Sequence, residues 1–186
     1  HLPGQGPGGH PGQDRYPHRA LISNFSWVIP NLLAGAALPG MTGELAADLR
    51  EIVRRGVRCL ASLTESASGF GPACWKAGLL WEYYPIPNFE VPYDLQSFHG
   101  LTQRLLAQLA SGRAVCAHCY AGVGRTGLLL SCLMGAHLRL PAAQAIRRVR
   151  LIRPALETLE QEKFVHFYLE RYLKAVSYTH LRAHET

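Results

Sequence analysis

Several features that define other protein classes are missing from this sequence. No apolar run reaches the roughly 20 residues needed to cross a bilayer, and the N-terminus has neither the basic start nor the apolar core of a signal peptide. The five cysteines are odd in number and have no regular spacing, which argues against a disulfide framework. We therefore expect free thiols and a reducing location, in the cytoplasm or also the nucleus.

Signatures of metal and nucleotide sites are missing as well. No cluster of carboxylates or histidines suggests a metal centre, and no Gly-Lys-Ser/Thr follows a glycine-rich run as in Walker-type sites. We expect neither a metal nor a cofactor. The 186 residues are 48% hydrophobic and 17% charged, which is typical of one soluble domain with a substantial core. A formal charge of +6 suits an anionic ligand without identifying it.

Composition divides the chain into three parts. Residues 1–22 are rich in glycine, proline and histidine, which predicts a disordered tail. Residues 23–175 alternate between predicted strands and helices, which indicates an α/β domain with a largely parallel sheet flanked by helices. Residues 176–186 lack apolar periodicity and look like translated linker or vector sequence; a native disordered tail is the alternative.

Local patterns predict the elements of the domain. Pro30-Asn31 divides two apolar runs and suggests a hairpin or a bent edge strand, and Val57 to Leu63 is a compact apolar strand. Thr64 to Gly78, rich in serine and glycine, is predicted to be a surface loop. Asp94 could cap a helix, and a last helix is predicted from about Leu156.

The ten residues from His118 to Gly127 carry the most specific chemistry. They read His-Cys-Tyr-Ala-Gly-Val-Gly-Arg-Thr-Gly and lie between an apolar strand pattern and an apolar helix pattern. A glycine-rich turn at a helix N-terminus lets successive amide N–H groups converge on one anion. Arg125 would grip two oxygens of a phosphate, and the same positive field would favour the thiolate of Cys119. Cys119 is therefore the expected nucleophile.

This pattern, His-Cys-x-x-Gly-x-Gly-Arg-Thr-Gly, resembles the signature of the cysteine-based protein phosphatases. Across about residues 24 to 174 the sequence is similar to the small atypical dual-specificity phosphatases. The resemblance implies a protein tyrosine phosphatase-like fold, with the signature loop at the carboxyl end of a middle strand. The matching stretches outside the loop are Asn24–Val28, Leu33–Gly35, Ser62–Glu65, Ile86-Pro87, Arg150–Pro154 and Glu160–Lys163.

The resemblance implies a two-step mechanism. Cys119 attacks the phosphorus to give a cysteinyl-phosphate, which water then cleaves, while Arg125 and the loop amides hold the phosphate oxygens. Thr126 would hydrogen-bond the sulfur, and His118 would orient the loop rather than act as a base. The residues expected to bind substrate are Tyr120, Ala121, Gly122, Val123, Gly124 and Arg125, with Gly127 in a structural role.

One position departs from the family. Asn88 stands where the family usually has the aspartate that protonates the leaving group, and an asparagine has no titrating proton. Glu90 is the first expected substitute, because it would face the same side as residue 88 in an extended loop, and Asp94 is the second. The alternatives are a solvated Glu90 and an Asp94 that only caps a helix.

Three further residues follow in the segment that in this family approaches the catalytic loop. Arg153 is expected to tie the segment to the core by hydrogen bonds. Glu157 or Gln161 could position the hydrolytic water; a solvent-facing side chain is the alternative for each.

Three functions compete. The leading one is a protein phosphatase that acts on phosphotyrosine, with phosphoserine and phosphothreonine as weaker substrates. The second is a phosphate-recognition module that turns over poorly because of Asn88. The third is a phosphatase of a non-protein ester, against which the absence of lysine at Tyr120 and Val123 counts. We expect phosphorylated proteins as partners, no nucleic acid, no membrane, and a monomer.

Overall fold

Five strands form one sheet in the part of the chain that the computed structural model describes, residues 22–185. Their order is β1-β2-β5-β3-β4, with β1 antiparallel to β2 and every other pair parallel. The predicted, largely parallel sheet is therefore confirmed, and β5 is its middle strand. The bounds are β1 Ser26–Ile29, β2 Leu33–Ala36, β3 Val57–Ser62, β4 Leu80–Tyr83 and β5 Ala114–His118.

Helices cover both faces of this sheet. On one face α1 and α2 bury Leu49, Ile52 and Cys74 against the strands. On the other face α3 to α6 enclose a larger core around Phe98 and Leu129. The bounds are α1 Leu45–Arg54, α2 Gly71–Ala77, α3 Leu95–Ala110, α4 Gly124–Leu138, α5 Ala142–Arg150 and α6 Leu159–His184.

Turn chemistry explains several of these boundaries. The β1–β2 hairpin turns at Pro30-Asn31, where Asn31 adopts a left-handed φ of 59°, as the sequence predicts. Gly56 follows α1 with a φ of 106°, a conformation that glycine adopts at little cost. The Asp94 side chain accepts a hydrogen bond from Gln96 N, so the predicted cap of α3 is confirmed.

One predicted element and one predicted boundary are wrong. The segment from Thr64 to Gly78 is a short 3₁₀ helix followed by α2 rather than a surface loop, because Pro72 suits a helix start and Cys74 is buried. The last helix starts at Leu159 rather than near Leu156. Leu156 has a φ of 69°, outside the helical region, and Thr158 supplies the cap.

The two predicted tails differ in what the structure says of them. Residues 1–21 of the predicted N-terminal tail lie outside the described residues, whereas Ile22 is buried and belongs to the core. Residues 176–184 continue α6 as a largely exposed extension, so a disordered tail is not what the structure has there. No helix within residues 22–185 is long and apolar enough to span a bilayer.

Candidate active site

The signature residues form a strand, a short loop and a helix start at the centre of the sheet. Strand β5 ends at His118, residues 119–123 form the loop, and α4 begins at Gly124. Because β5 is the middle strand, the loop leaves the sheet with neighbouring strands on both sides, as the resemblance implies. Cys119 and Arg125 are both buried, with 2% and 3% of their surfaces exposed.

The carbonyl groups of all five loop residues accept hydrogen bonds from donors outside the loop. In a planar trans peptide the N–H points away from the C=O, so anchoring the carbonyls outward turns the following amides inward. The amides of residues 120–126 have no hydrogen-bond acceptor within residues 22–185. The donors are His118 Nδ1 to Cys119 O (3.0 Å), Leu38 N to Tyr120 O (2.9 Å), Asn24 Nδ2 to Ala121 O (3.0 Å), Arg153 Nη2 to Gly122 O (2.7 Å), and both Gly127 N (2.9 Å) and Leu156 N (3.1 Å) to Val123 O.

Gly122 is the loop residue with the strictest need for glycine. Its φ is 79°, and a Cβ added there would stand 2.5 Å from the carbonyl oxygen of Ala36 at the end of β2. That oxygen is backbone and cannot swing away. The turn of the loop and its close approach to β2 therefore both require a residue without a side chain.

The two glycines in the first turn of α4 make room for the segment after α5. A Cβ on Gly127 would stand 2.7 Å from both Ala155 Cβ and Leu156 N. A Cβ on Gly124 would stand 2.5 Å from Oε1 of Glu157. The glycines thus let this segment pack directly on the helix N-terminus, which is the positive end of the helix dipole.

Arg125 is fixed from the side of the loop after β4. Its Nη1 donates a 2.9 Å hydrogen bond to the carbonyl of Ile86. A guanidinium carries five N–H donors, so this single bond orients the group and leaves other donors for an anion. The contact also joins the signature loop to the segment that contains Asn88.

Thr126 departs from expectation. Its side chain is completely buried, but Oγ1 has no hydrogen-bond partner within residues 22–185, so the predicted bond to the Cys119 sulfur is absent. The hydroxyl lies in the first turn of α4. A buried polar group without a partner is uncommon in a folded protein, and this one lies next to the cradle, the ring of amides of residues 120–126.

Arg153 holds the loop from beneath. Its Nη2 and Nη1 donate to Gly122 O (2.7 Å) and to Ser26 Oγ (2.9 Å), and its guanidinium carbon lies against Gly35. The predicted tie between this segment and the core is therefore confirmed. Burial lowers the pKa of Arg153 from its ordinary value, but a guanidinium stays charged at any physiological pH.

The side of the site expected to supply the acid is a tight turn. Glu90 N donates to Pro87 O at 3.0 Å, and Phe89 has a left-handed φ of 65°. The premise that placed Glu90 on the same side as Asn88, an extended loop, is therefore wrong, because a turn reverses the chain between them. The Glu90 side chain is exposed.

Gln161 connects this turn to the signature helix. It is completely buried: Nε2 donates to Glu90 O (3.2 Å), Oε1 accepts from Glu157 N (2.8 Å), and the amide group lies against Gly124. The solvent-facing alternative for Gln161 is therefore wrong. Glu157 itself is exposed, with its carboxylate next to Gly124 at the start of α4.

Asp94, the second expected acid, lies away from the signature loop. Its carboxylate caps α3, and the residue lines a groove between α3 and α6 to which none of residues 118–127 contributes. The alternative reading of Asp94 as a helix cap is confirmed. Nothing in the structure brings its side chain toward Cys119.

This geometry agrees with a known protein family. The family model described as "Tc-R-P: Polymorphic toxin system, DSP-PTPase phosphatase" matches residues 34–137, more than half of the chain. The chain belongs to this DSP-PTPase phosphatase family. The matched range runs from β2 to α4 and so contains the whole signature loop.

Individual proteins that are similar to this chain match different lengths of it. Human dual specificity protein phosphatase CDC14C is 44% identical over 52 residues, which are 28% of this chain and 12% of the relative. Mouse protein tyrosine phosphatase domain-containing protein 1 is 28% identical over 144 residues, 69% of this chain and 19% of the relative. The chain thus spans less than a fifth of the length of either protein.

A solved structure shows the same fold. Tk-PTP in its active form superposes with a TM-score of 0.70 at 23% identity, covering 80% of this chain and 97% of Tk-PTP. The protein tyrosine phosphatase-like fold implied by the sequence is therefore confirmed.

The other four cysteines of this DSP-PTPase chain differ from Cys119 in their surroundings. All five are free, but Cys116 points to the opposite face of the sheet from Cys119 and packs in the core beneath α1 and α2. Burial raises the pKa of Cys59 and Cys116 to about 12 and that of Cys74 to about 11. Burial also raises the pKa of Cys132. These four remain protonated thiols at neutral pH.

Several residues that shape the loop were not predicted. Asn24 and Leu38 anchor loop carbonyls, and Ser62 Oγ lies 2.6 Å from His118 Nε2. Asn24 and Ser62 fall inside the stretches that match the family, which was the one available signal for them. Leu38 acts through its backbone N–H, a role that any residue but proline can fill.

Proposed function

We propose that this protein is a protein phosphatase that hydrolyses phosphate monoesters through a cysteinyl-phosphate at Cys119. The observation that carries the proposal is the set of five anchored carbonyls around a buried cysteine, where the amides of residues 120–126 have no acceptor among the described residues 22–185. Such a ring of donors suits the three outer oxygens of a transferring phosphoryl group. Arg125 adds a full positive charge to that ring.

In the first step the Cys119 thiolate attacks phosphorus, the bond from phosphorus to the ester oxygen breaks, and that oxygen leaves with its electron pair. Arg125 and the loop amides stabilise the phosphoryl oxygens during the transfer. The Thr126 hydroxyl, which has no partner within residues 22–185, is the donor that we propose for the sulfur when the thiolate departs in the second step.

The residue that protonates the leaving group comes from the turn after β4 or is absent. We propose Glu90 first, because Gln161 holds its backbone against the start of α4 and its carboxylate is exposed. Asp94 is not proposed as the acid, since its carboxylate caps α3 and the residue lines a groove to which none of residues 118–127 contributes. General acid catalysis contributes about 10²–10⁴-fold, so its loss would weigh most on alkyl esters.

For the second step we propose that Glu157 positions the attacking water. Its carboxylate lies next to Gly124, and Gln161 fixes its backbone through the 2.8 Å bond to Glu157 N. Water adds to phosphorus, the S–P bond breaks, and the thiolate of Cys119 is regenerated.

For the substrate we propose phosphotyrosine in proteins, with phosphoserine and phosphothreonine turned over more slowly. A phenol leaves without full protonation more readily than an alcohol, because its pKa is near 10. The sequence resembles dual specificity phosphatase 23 in particular, and we propose a dual-specificity phosphatase domain over residues 23–175. A monomer in the cytoplasm, also entering the nucleus, fits this proposal.

One observation favours a second candidate. Asn88 cannot donate a titrating proton. Glu90, the carboxylate residue of the same turn, is connected to the start of α4 through its backbone carbonyl, which accepts from Gln161 Nε2. A phosphate-recognition module that binds phosphotyrosine and turns it over slowly is therefore the alternative.

The test is the pH–rate profile of aryl phosphate hydrolysis, measured for the parent, Cys119→Ser, Glu90→Gln and Asp94→Asn. We expect no hydrolysis by Cys119→Ser, and loss of the basic-side limb of the profile in Glu90→Gln alone. A parent no faster than Cys119→Ser that still binds phosphotyrosine would replace the phosphatase by the recognition module.

A further inference from the structure

A row of three polar side chains crosses the sheet from its edge to the nucleophile. Trp81 lies on the edge strand β4, Ser62 ends the adjacent strand β3, and His118 ends β5 directly opposite Ser62 in the parallel register. Trp81 Nε1 is 2.9 Å from Ser62 Oγ, and Ser62 Oγ is 2.6 Å from His118 Nε2. His118 Nδ1 is 3.0 Å from the carbonyl oxygen of Cys119.

The two ends of this row determine the directions of its hydrogen bonds. The Cys119 carbonyl can only accept, so His118 Nδ1 carries the ring proton, and Nε2 of the neutral ring is unprotonated. Nε2 therefore accepts from the Ser62 hydroxyl. At the other end an indole N–H can only donate, so Trp81 donates to Ser62 Oγ and leaves the hydroxyl proton for His118.

We propose that Ser62 and Trp81 are positioning residues that fix His118 in its Nδ1–H tautomer and thereby hold the Cys119 carbonyl outward. The proposal deepens the proposed function, on which its catalytic part rests. The consequence for catalysis follows from peptide planarity: a fixed Cys119 carbonyl fixes the Tyr120 N–H, the first amide of the cradle. If the tautomer were free to change, Nδ1 would present a lone pair to that carbonyl and the peptide could rotate.

The surroundings protect the row from water. His118 and Ser62 are completely buried, and the ring of Phe70 stacks on His118 with centroids 5.8 Å apart. Gly71 at the start of α2 packs against the indole: a Cβ there would stand 3.1 Å from Trp81 Cζ3. Burial lowers the pKa of His118 to about 4, which keeps the ring neutral so that one tautomer can persist. The segment that covers the row is the one that the sequence predicted as a surface loop.

The experiment uses the full chain and two variants, Ser62→Ala and Trp81→Phe. Each has a matched control: Ser131→Ala removes a buried serine hydroxyl that has no hydrogen-bond partner within residues 22–185, and Trp75→Phe changes an indole that is 72% exposed. The first readout is the ¹⁵N spectrum of His118, assigned by its loss in His118→Asn, which distinguishes a protonated from an unprotonated ring nitrogen. The second is kcat and KM for an aryl phosphate.

We expect the parent and both controls to show a protonated Nδ1 and an unprotonated Nε2. In Ser62→Ala we expect this single tautomer to be lost and kcat to fall about tenfold with KM little changed, less than the loss from deleting a cradle donor outright. Trp81→Phe should give a smaller change of the same kind, because the hydroxyl can then rotate away from Nε2.

Two results would overturn the proposal: a parent with the proton on Nε2, or a Ser62→Ala protein whose His118 spectrum and kcat match those of Ser131→Ala. A parent inactive on every phosphate ester would overturn the proposed function instead, and the His118 spectrum would still decide whether Ser62 and Trp81 fix the tautomer.

Discussion

The signature loop and the turn after β4 face the same site but are held very differently. The loop has every carbonyl anchored, by donors from Asn24, Leu38, Arg153 and other parts of the chain far apart in sequence. The turn from Pro87 to Glu90 closes on itself with one bond, and its other carbonyl contacts come from Thr158 and Gln161, both near the start of α6.

The difference shows which part of the chemistry the fold preorganises. Transition-state stabilisation by fixed donors needs a rigid cradle, because no reorganisation is then required when charge moves onto the phosphoryl oxygens. Proton transfer needs only one group within reach, and the proposed acid, Glu90, lies in a turn held by few contacts. The cradle should therefore tolerate substitution poorly and the turn tolerate it well.

The largest effect is expected for Arg125→Lys. A guanidinium can bind two phosphate oxygens while it also donates to Ile86 O, and a lysine cannot do both. We therefore expect kcat/KM to fall about 10²–10³-fold. The matched control is Arg147→Lys on the exposed face of α5. Steady-state kinetics with an aryl phosphate measure both, and a loss below tenfold in Arg125→Lys would mean that the cradle amides suffice without it.

Arg153→Met should be the most damaging change to stability. It leaves Gly122 O without its 2.7 Å donor and Ser26 without its partner, so we expect a loss of about 2–4 kcal/mol in the free energy of unfolding. Urea denaturation measures the loss, with Arg148→Met on exposed α5 as control. Equal stability of the two variants would show that the loop does not depend on this anchor.

Low pH should reduce the free energy of unfolding through His118, the residue that precedes the signature loop. Because burial lowers the folded-state pKa of His118 to about 4, the unfolded chain takes up this proton first as the pH falls. The stability that His118 contributes is complete above about pH 6.5 and is lost as the pH falls toward 4, by roughly 3 kcal/mol in all. Unfolding free energies of the parent and His118→Asn should converge over this range; a constant difference between them would contradict the burial argument.

The smallest effect is expected for Thr158→Val, which removes a contact to the turn from Pro87 to Glu90. Its hydroxyl accepts from Gln161 N and donates a long, 3.4 Å bond to Phe89 O, so its loss should cost about 1 kcal/mol, as for other helix caps. Turnover of an aryl phosphate should stay within about twofold, since the turn keeps its closing bond from Glu90 N to Pro87 O and its contact from Gln161 to Glu90 O. Thr42→Val, at an exposed position, is the control. A stability loss as large as that of Arg153→Met would remove the contrast between the two regions.

The sequence predicted the parts of this site that are local in the chain. Cys119, Arg125 and the glycines lie within ten residues, and the apolar runs on both sides specify a strand and a helix whatever surrounds them. The cap at Asp94 and the hairpin at Pro30-Asn31 were predictable for the same reason.

What could not be predicted depends on the tertiary fold. Gln161 occupies a helical position that suits solvent equally well, and only packing shows that it is buried between Glu90 and Gly124. The expectation for Glu90 assumed extended backbone, whereas Phe89 adopts a left-handed conformation that its residue type disfavours. The α2 helix was missed because its serine- and glycine-rich approach resembles a loop, while the burial of Cys74 is set by the strands beneath.

The most direct test of the central claim is to trap the covalent intermediate. A phosphotyrosyl peptide with a radiolabelled phosphate is mixed with the parent, Cys119→Ser or Glu157→Gln, and the reaction is stopped by alkaline denaturation. The protein is then digested, and the fragment that carries the label is identified by mass spectrometry. We predict label on Cys119 in the parent, more of it in Glu157→Gln because the second step is slowed, and none in Cys119→Ser. Hydrolysis by the parent with no label on Cys119 in either the parent or Glu157→Gln would contradict the account.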